Sequence, residues 1–172
     1  SNNVYSVVES DLYGLWIQTD YGLFLYNYET DEIVRKAWDK TGGAMVLSSQ
    51  DINSLYEDPD GIVWVGTWQG GLNRYNPRTG DIKIYSVNDG LPSTSIQGIL
   101  ADEKNNALWL STFQGISRFN KSDEQFNNFS LADGIQGLLF ADYQFFKTSE
   151  NILIFGGSNG ITYFNPDDIA KN

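Results

Sequence analysis

The chain has 172 residues, 41% hydrophobic and 15% aromatic, and its 11 basic against 22 acidic side chains leave a net charge of −11. Cysteine and histidine are absent, which excludes thiolate and imidazole metal sites, Cys nucleophiles and every triad that uses His as its base. The basic residues are scattered, with no run longer than Arg35-Lys36, so nucleic acid and anionic membrane surfaces are excluded as partners.

No stretch reaches the roughly 20 apolar residues of a membrane helix. No charged-then-apolar leader is present, which places any export signal outside these residues. The lack of cysteine suits a cytosolic protein and a disulfide-free periplasmic one equally.

In chain order, the sequence repeats itself. Trp16 to Asn27, Trp64 to Pro77, Trp109 to Asn120 and Ile154 to Pro166 align, and their leading positions lie 48, 45 and 45 residues apart. A period near 45 is that of one four-stranded propeller blade. In the first repeat, Glu9 to Gly14 replaces the acidic-Gly turn found in the second.

The second repeat shows the strands most clearly. Ile52 to Tyr56 alternates as a first strand, and Asp58-Pro59-Asp60-Gly61 is a tight turn. Ile62 to Thr67 is a second strand, Leu72 to Tyr75 a third and Asp81 to Ser86 a fourth, with turns at Trp68 to Gly71 and Asn76 to Gly80. Asp102-Glu103 recurs at the same turn as Glu57-Asp58. That recurrence marks a structural position, not an acid–base pair. The turn at Asp58 lacks the further acidic ligands of a calcium loop, and Gly156 to Gly160 leads into a strand, so it is no phosphate loop. Only Leu131 to Ala141 carries a helical period, and weakly. After Pro166 six residues remain, too few for an outer strand.

The expected fold is therefore all-β: a β-propeller of four consecutive four-stranded blades, at approximately 4–46, 47–93, 94–138 and 139–169. Trp16, Trp64, Trp109 and Ile154 on the second strands, with Tyr26, Tyr75, Phe119 and Phe164 on the third, read as core between blades. An arc of blades exposes strand edges and one apolar face, which favours a homo-oligomer over a free arc unless four blades close into a small ring.

The segment Ile52 to Pro77, with Gly90-Leu91-Pro92-Ser93 and Ile96 opening the next blade, resembles the two-component regulator propeller repeat. The last repeat resembles the closing blade that precedes a sandwich domain in that family. The resemblance implies the extracytoplasmic, periplasmic sensor region of a hybrid sensor histidine kinase, with two seven-bladed propellers of which this chain is a fragment. It also implies an oligosaccharide ligand held between propellers, and as partners the remaining blades and the downstream sandwich domain. No cofactor or metal is implied.

Under that resemblance, ligands meet the loops joining strands two and three: Asp20 and Tyr21, Trp68 and Gln69, Phe113 and Gln114, Ser158 and Asn159. A sugar offers a C–H face to an aromatic ring and hydroxyls to an amide. Packing between loops explains the same residues. Leu91 to Thr94 and Asp133 to Gln136, between blades, are second candidates. Three functions compete: a carbohydrate sensor, a protein-binding scaffold and a glycan-cleaving enzyme.

Overall fold

The computed structural model describes residues 3–37 and 47–169. Its strands form four antiparallel sheets in chain order. The first comprises β1 (Val4–Ser10), β2 (Gly14–Thr19), β3 (Gly22–Asn27) and β4 (Glu32–Ala37). The second comprises β5 (Ile52–Glu57), β6 (Val63–Thr67), β7 (Gly71–Tyr75) and β8 (Ile82–Tyr85). The third comprises β9 (Ile96–Asp102), β10 (Ala107–Thr112), β11 (Gly115–Asn120) and β12 (Gln125–Phe129). The fourth holds β13 (Phe140–Lys147), β14 (Leu153–Gly157) and β15 (Gly160–Phe164).

Four blades follow one another as the repeat requires, but the last has three strands among the described residues, not four. After Phe164 the chain enters a 3-10 turn at Pro166–Asp168, capped by Asn165, instead of returning along β15. The weak helical period at Leu131 to Ala141 resolves into a 3-10 turn at Leu131–Asp133, a loop and the start of β13. Residues 38–46, the end of the first expected unit, lie outside the described residues.

Each seam between blades is an apolar cluster built from the same two repeat faces. Trp16, Leu23 and Leu25 of the first blade meet Val63, Val65 and Tyr75 of the second. Trp64, Leu72 and Tyr85 meet Ala101, Leu108, Leu110 and Phe119. Trp109 and Ile116 meet Phe140, Leu153 and Phe155. Three of the four leading positions are therefore buried tryptophans, and truncating such a ring costs about 3–5 kcal/mol. The fourth, Ile154, is half-buried, as are Tyr26 and Phe164. Ile154 and Tyr26 lie on blade faces that no other described blade covers, and Phe164, packed on Trp109 at 4.7 Å, has no strand on its outer side among the described residues.

The buried indole N–H groups explain the acidic turns, since an unpaired buried donor is costly. Trp64 Nε1 donates to Asp58 Oδ2 at 3.0 Å and Trp109 Nε1 to Asp102 Oδ2 at 3.4 Å. The divergent first blade has Ser10 at this position. There Trp16 Nε1 donates instead to Glu57 of the second blade at 2.5 Å, and Ser10 Oγ donates to the other oxygen of that carboxylate at 2.9 Å. The fourth blade has no tryptophan, and Thr148 stands at the turn, its hydroxyl accepting from Ile152 N at 3.1 Å.

Candidate functional site

The loops between second and third strands and the loops between blades lie at one end of the molecule and are tied together. Trp68 N donates to Asp51 O at 2.8 Å, Gly115 N to Leu138 O at 3.0 Å and Ser158 N to Leu139 O at 3.1 Å. Gln69 N donates to Ser95 Oγ at 3.1 Å.

On this face Trp68 and Phe113, from neighbouring blades, meet edge to face with ring centroids 4.9 Å apart. Both rings are half-buried, and the adjoining Gln69 and Gln114 are exposed. Gln69 adopts a positive φ of 57°, unusual for a residue with a side chain, and its backbone N–H is thereby aimed into the loop that opens the third blade. The pair is an aromatic ridge with an amide at either side.

The other candidates do not join it. Asp20 and Tyr21 line a groove of about 530 Å³ with Val4, Ile17, Phe24 and Ile33 on the outward face of the first blade. Asp20 Oδ1 accepts from Asn3 N at 3.2 Å. Ser158 and Asn159 are exposed on the fourth blade, where Asn159 lies against Gly137.

The sequence reading missed the residues at the mouth of the central axis. Each innermost strand has a register irregularity where it starts: between Val4 and Ser6, Ile52 and Ser54, opposite Ser111 and Thr112, and between Phe140 and Phe145. In the middle two blades a β-bulge sets one amide residue apart, Asn53 and Gln97. These are 7% and 0% exposed, and Asn53 Nδ2 donates to Gln97 Oε1 and to Ile96 O, each at 3.1 Å.

Opposite them, Gln18 takes the repeat position that holds Gly66, Ser111 and Gly156 in the other blades. Its amide donates to Tyr143 Oη at 3.1 Å and to Ile52 O, joining the first blade to both the second and the fourth. Burial raises the Tyr143 phenol above its ordinary value. Gln18 Oε1, Ser54 Oγ and Gln97 Nε2 are buried without a hydrogen-bond partner. The available signal was the shared pattern Ile52-Asn53-Ser54-Leu55 and Ile96-Gln97-Gly98-Ile99, in which an amide interrupts an apolar strand.

The acidic residues at the opposite end are structural. Asp58 is 5% exposed and accepts from Asp60 N and Ile62 N, each at 3.1 Å, as well as from Trp64. Lys121 reaches it at 3.5 Å. Among the described residues no group of three or more acidic side chains is placed to hold a metal ion, and no helix is long and apolar enough to cross a membrane.

Consecutive four-stranded blades with short hairpin turns and apolar seams define a β-propeller repeat protein. Residues 46–69 match the model of the two component regulator propeller. The chain is 27% identical over 161 residues to Histidine kinase P4 of Formosa agariphila, a match covering 92% of this chain and 12% of that protein. The chain thus spans about an eighth of that curated relative. Among solved structures it is similar to the extracellular domain of a hybrid two component system from B. thetaiotaomicron. That similarity has a TM-score of 0.76 and 20% identity, over 98% of this chain and 23% of the other. It is also similar to the computationally designed Ika4 protein, with a TM-score of 0.64 and 15% identity over 96% of this chain and 92% of that one. Likeness at these identities concerns the fold.

Proposed function

We propose that this propeller segment is a non-catalytic, ligand-recognising part of an extracytoplasmic sensor, contributing four blades to a larger, seven-bladed ring in the periplasm. The ligand is an oligosaccharide, received on the face that carries Trp68 and Phe113. One observation supports this above the others: two aromatic rings from adjacent blades touch at 4.9 Å between exposed glutamines. That arrangement offers a sugar ring an apolar platform and its hydroxyls amides that both donate and accept. The structural part played by Asp58, Asp102 and Glu57 in holding the tryptophans speaks against using these carboxylates for glycan cleavage.

The test is calorimetry of the whole extracytoplasmic region against a panel of oligosaccharides, with product analysis alongside. Saturable binding without turnover, weakened about tenfold or more by Trp68→Ala or Phe113→Ala, is the expected result. Product release overturns the non-catalytic reading. Binding that ignores both substitutions overturns the placement of the ligand.

A further inference from the structure

The seam between the second and third blades carries a side-chain tie that the next seam lacks. Both seams share a backbone tie at the end of the aromatic ridge. Gly71 N donates to Thr94 O at 2.7 Å, and Gly115 N to the corresponding Leu138 O at 3.0 Å. The residue after each acceptor differs. Ser95 follows Thr94, and its Oγ accepts the Gln69 N–H at 3.1 Å. Leu139 follows Leu138 and offers no side-chain acceptor. There Gln114 N donates within its own blade, to Thr112 Oγ1 at 3.0 Å, as Tyr21 N does to Thr19 Oγ1 in the first blade, also at 3.0 Å.

Loop length explains the departure. Two residues separate Thr112 from Gly115, and three separate Thr67 from Gly71. The extra residue is Gly70, where a Cβ would meet Ser48 Oγ at 2.5 Å and Thr67 Oγ1 at 2.6 Å. Packed against these hydroxyls, the loop turns Gln69 into the left-handed region at a φ of 57°, which is unfavourable for a residue with a side chain. Its N–H then points across the seam to Ser95 rather than back to Thr67. Ser95 is 5% exposed, and its own N–H donates to Ser93 Oγ at 3.2 Å, which fixes it just before β9 begins. Trp68 directly precedes Gln69, and Phe113 lies in the same blade as Ser95. The hydrogen bond and the ring contact therefore span one seam side by side.

We infer that Ser95 is a positioning residue for the aromatic ridge: by accepting the Gln69 N–H it holds Gln69 at its positive φ and the Trp68 ring edge to face with Phe113. Without that acceptor the loop relaxes out of the left-handed region and the two rings part. Two rings already docked spare a ligand the cost of ordering them, so the hydroxyl acts on affinity through Trp68. The effect on affinity rests on the reading of the ridge as the ligand platform, and the effect on the loop does not.

The test compares Ser95→Ala, which removes the acceptor, with Ser95→Thr, which keeps it. In the full chain without ligand, amide exchange at Gln69 should quicken about three- to tenfold in Ser95→Ala. Exchange at Gln114, held within its own blade, should stay as in the parent and shows that the blade is intact. The near-UV circular dichroism of Ser95→Ala should move toward that of Trp68→Ala, and that of Ser95→Thr should match the parent. Unchanged exchange at Gln69 or an unchanged ring signal in Ser95→Ala overturns the inference. Equal changes in Ser95→Thr overturn it too, because the acceptor is then irrelevant. Calorimetry on the whole extracytoplasmic region follows, with the oligosaccharide of the panel that the parent binds most tightly. Ser95→Ala should weaken binding about three- to tenfold and add little on top of Trp68→Ala, since both act through one ring. A loss that persists in full beside Trp68→Ala refutes the positioning role. A parent that binds no oligosaccharide refutes the ligand reading alone, and Gln69 exchange and the ring signal still decide the role of Ser95.

Discussion

Replacing Asp58 tests why the acidic turn exists. The carboxylate is almost fully buried and serves four donors: two backbone N–H groups at 3.1 Å, the Trp64 indole at 3.0 Å and the Lys121 ammonium at 3.5 Å. Asp58→Ala orphans the indole, which is 2% exposed, and frees the Ile62 N–H in a buried turn. Each orphaned buried donor costs about 1–3 kcal/mol, and breaking a buried charge pair costs about 3–5 kcal/mol. The shared geometry makes these overlapping costs, so the expected loss is about 3–5 kcal/mol.

Asp58→Asn is more diagnostic. Its Oδ1 keeps both backbone bonds, while its amide hydrogens confront the indole N–H and Lys121, for a loss of about 1–3 kcal/mol. Urea unfolding followed by tryptophan fluorescence reads both, with exposed Asp60→Ala as the control expected within about 0.5 kcal/mol of the parent. If Asp58→Asn unfolds within that same margin, the indole does not need its acceptor, and the account of the acidic turns fails.

Other outcomes are expected as follows. Gly98→Ala puts a Cβ 2.4 Å from Phe145 Cδ1, and such overpacking costs about 1–3 kcal/mol; thermal unfolding measures it. The apolar faces at the two ends of the arc carry Val7 and Ile33 on one side, Phe146 and Tyr163 on the other, all more than half exposed. Light scattering should therefore show self-association that rises with concentration, reduced by Phe146→Lys; a monodisperse monomer refutes it. Tyr56, Tyr75 and Tyr85 are all pushed above the ordinary phenol value, in each case first by burial, Tyr75 to about 12. Because the unfolded phenols lose their protons near pH ~10 and the folded ones later, folding stability is intact below that pH and falls as pH rises through it. Alkaline melts should show this loss, smaller in Tyr75→Phe.

Most of the fold was legible because a propeller writes one pattern several times. The strands read from the second repeat match β5 to β8 within a residue or so at each end, since hairpin glycines and alternating faces are local signals. The leading tryptophans read correctly as seam residues. The reading extended that burial to Ile154, Tyr26 and Phe164, which are half-buried because burial belongs to the neighbour and not to the repeat. The channel mouth escaped for the opposite reason. Asn53, Gln97 and Tyr143 share a place near the start of the inner strands as two amides and a phenol, so only the middle two repeats carry a common signal there. Gln18 is legible only as the departure from glycine or serine at its position. The touching pair Trp68 and Phe113 was named residue by residue, but their contact across a seam could come only from the structure.

All four ion pairs among the described residues, Lys83 with Glu124, Lys104 with Asp167, Lys121 with Asp58 and Lys147 with Glu103, sit at the end of the blades away from the aromatic ridge. Each spans a seam. At the other end the seams are crossed by neutral amides and a phenol. Salt screens charges and leaves amides untouched, so among the described residues ionic strength acts on the ion pairs of this one rim. Raising it loosens the charged rim, most at the exposed pairs, and leaves the amide bonds of Gln18 and Asn53 at the other end in place.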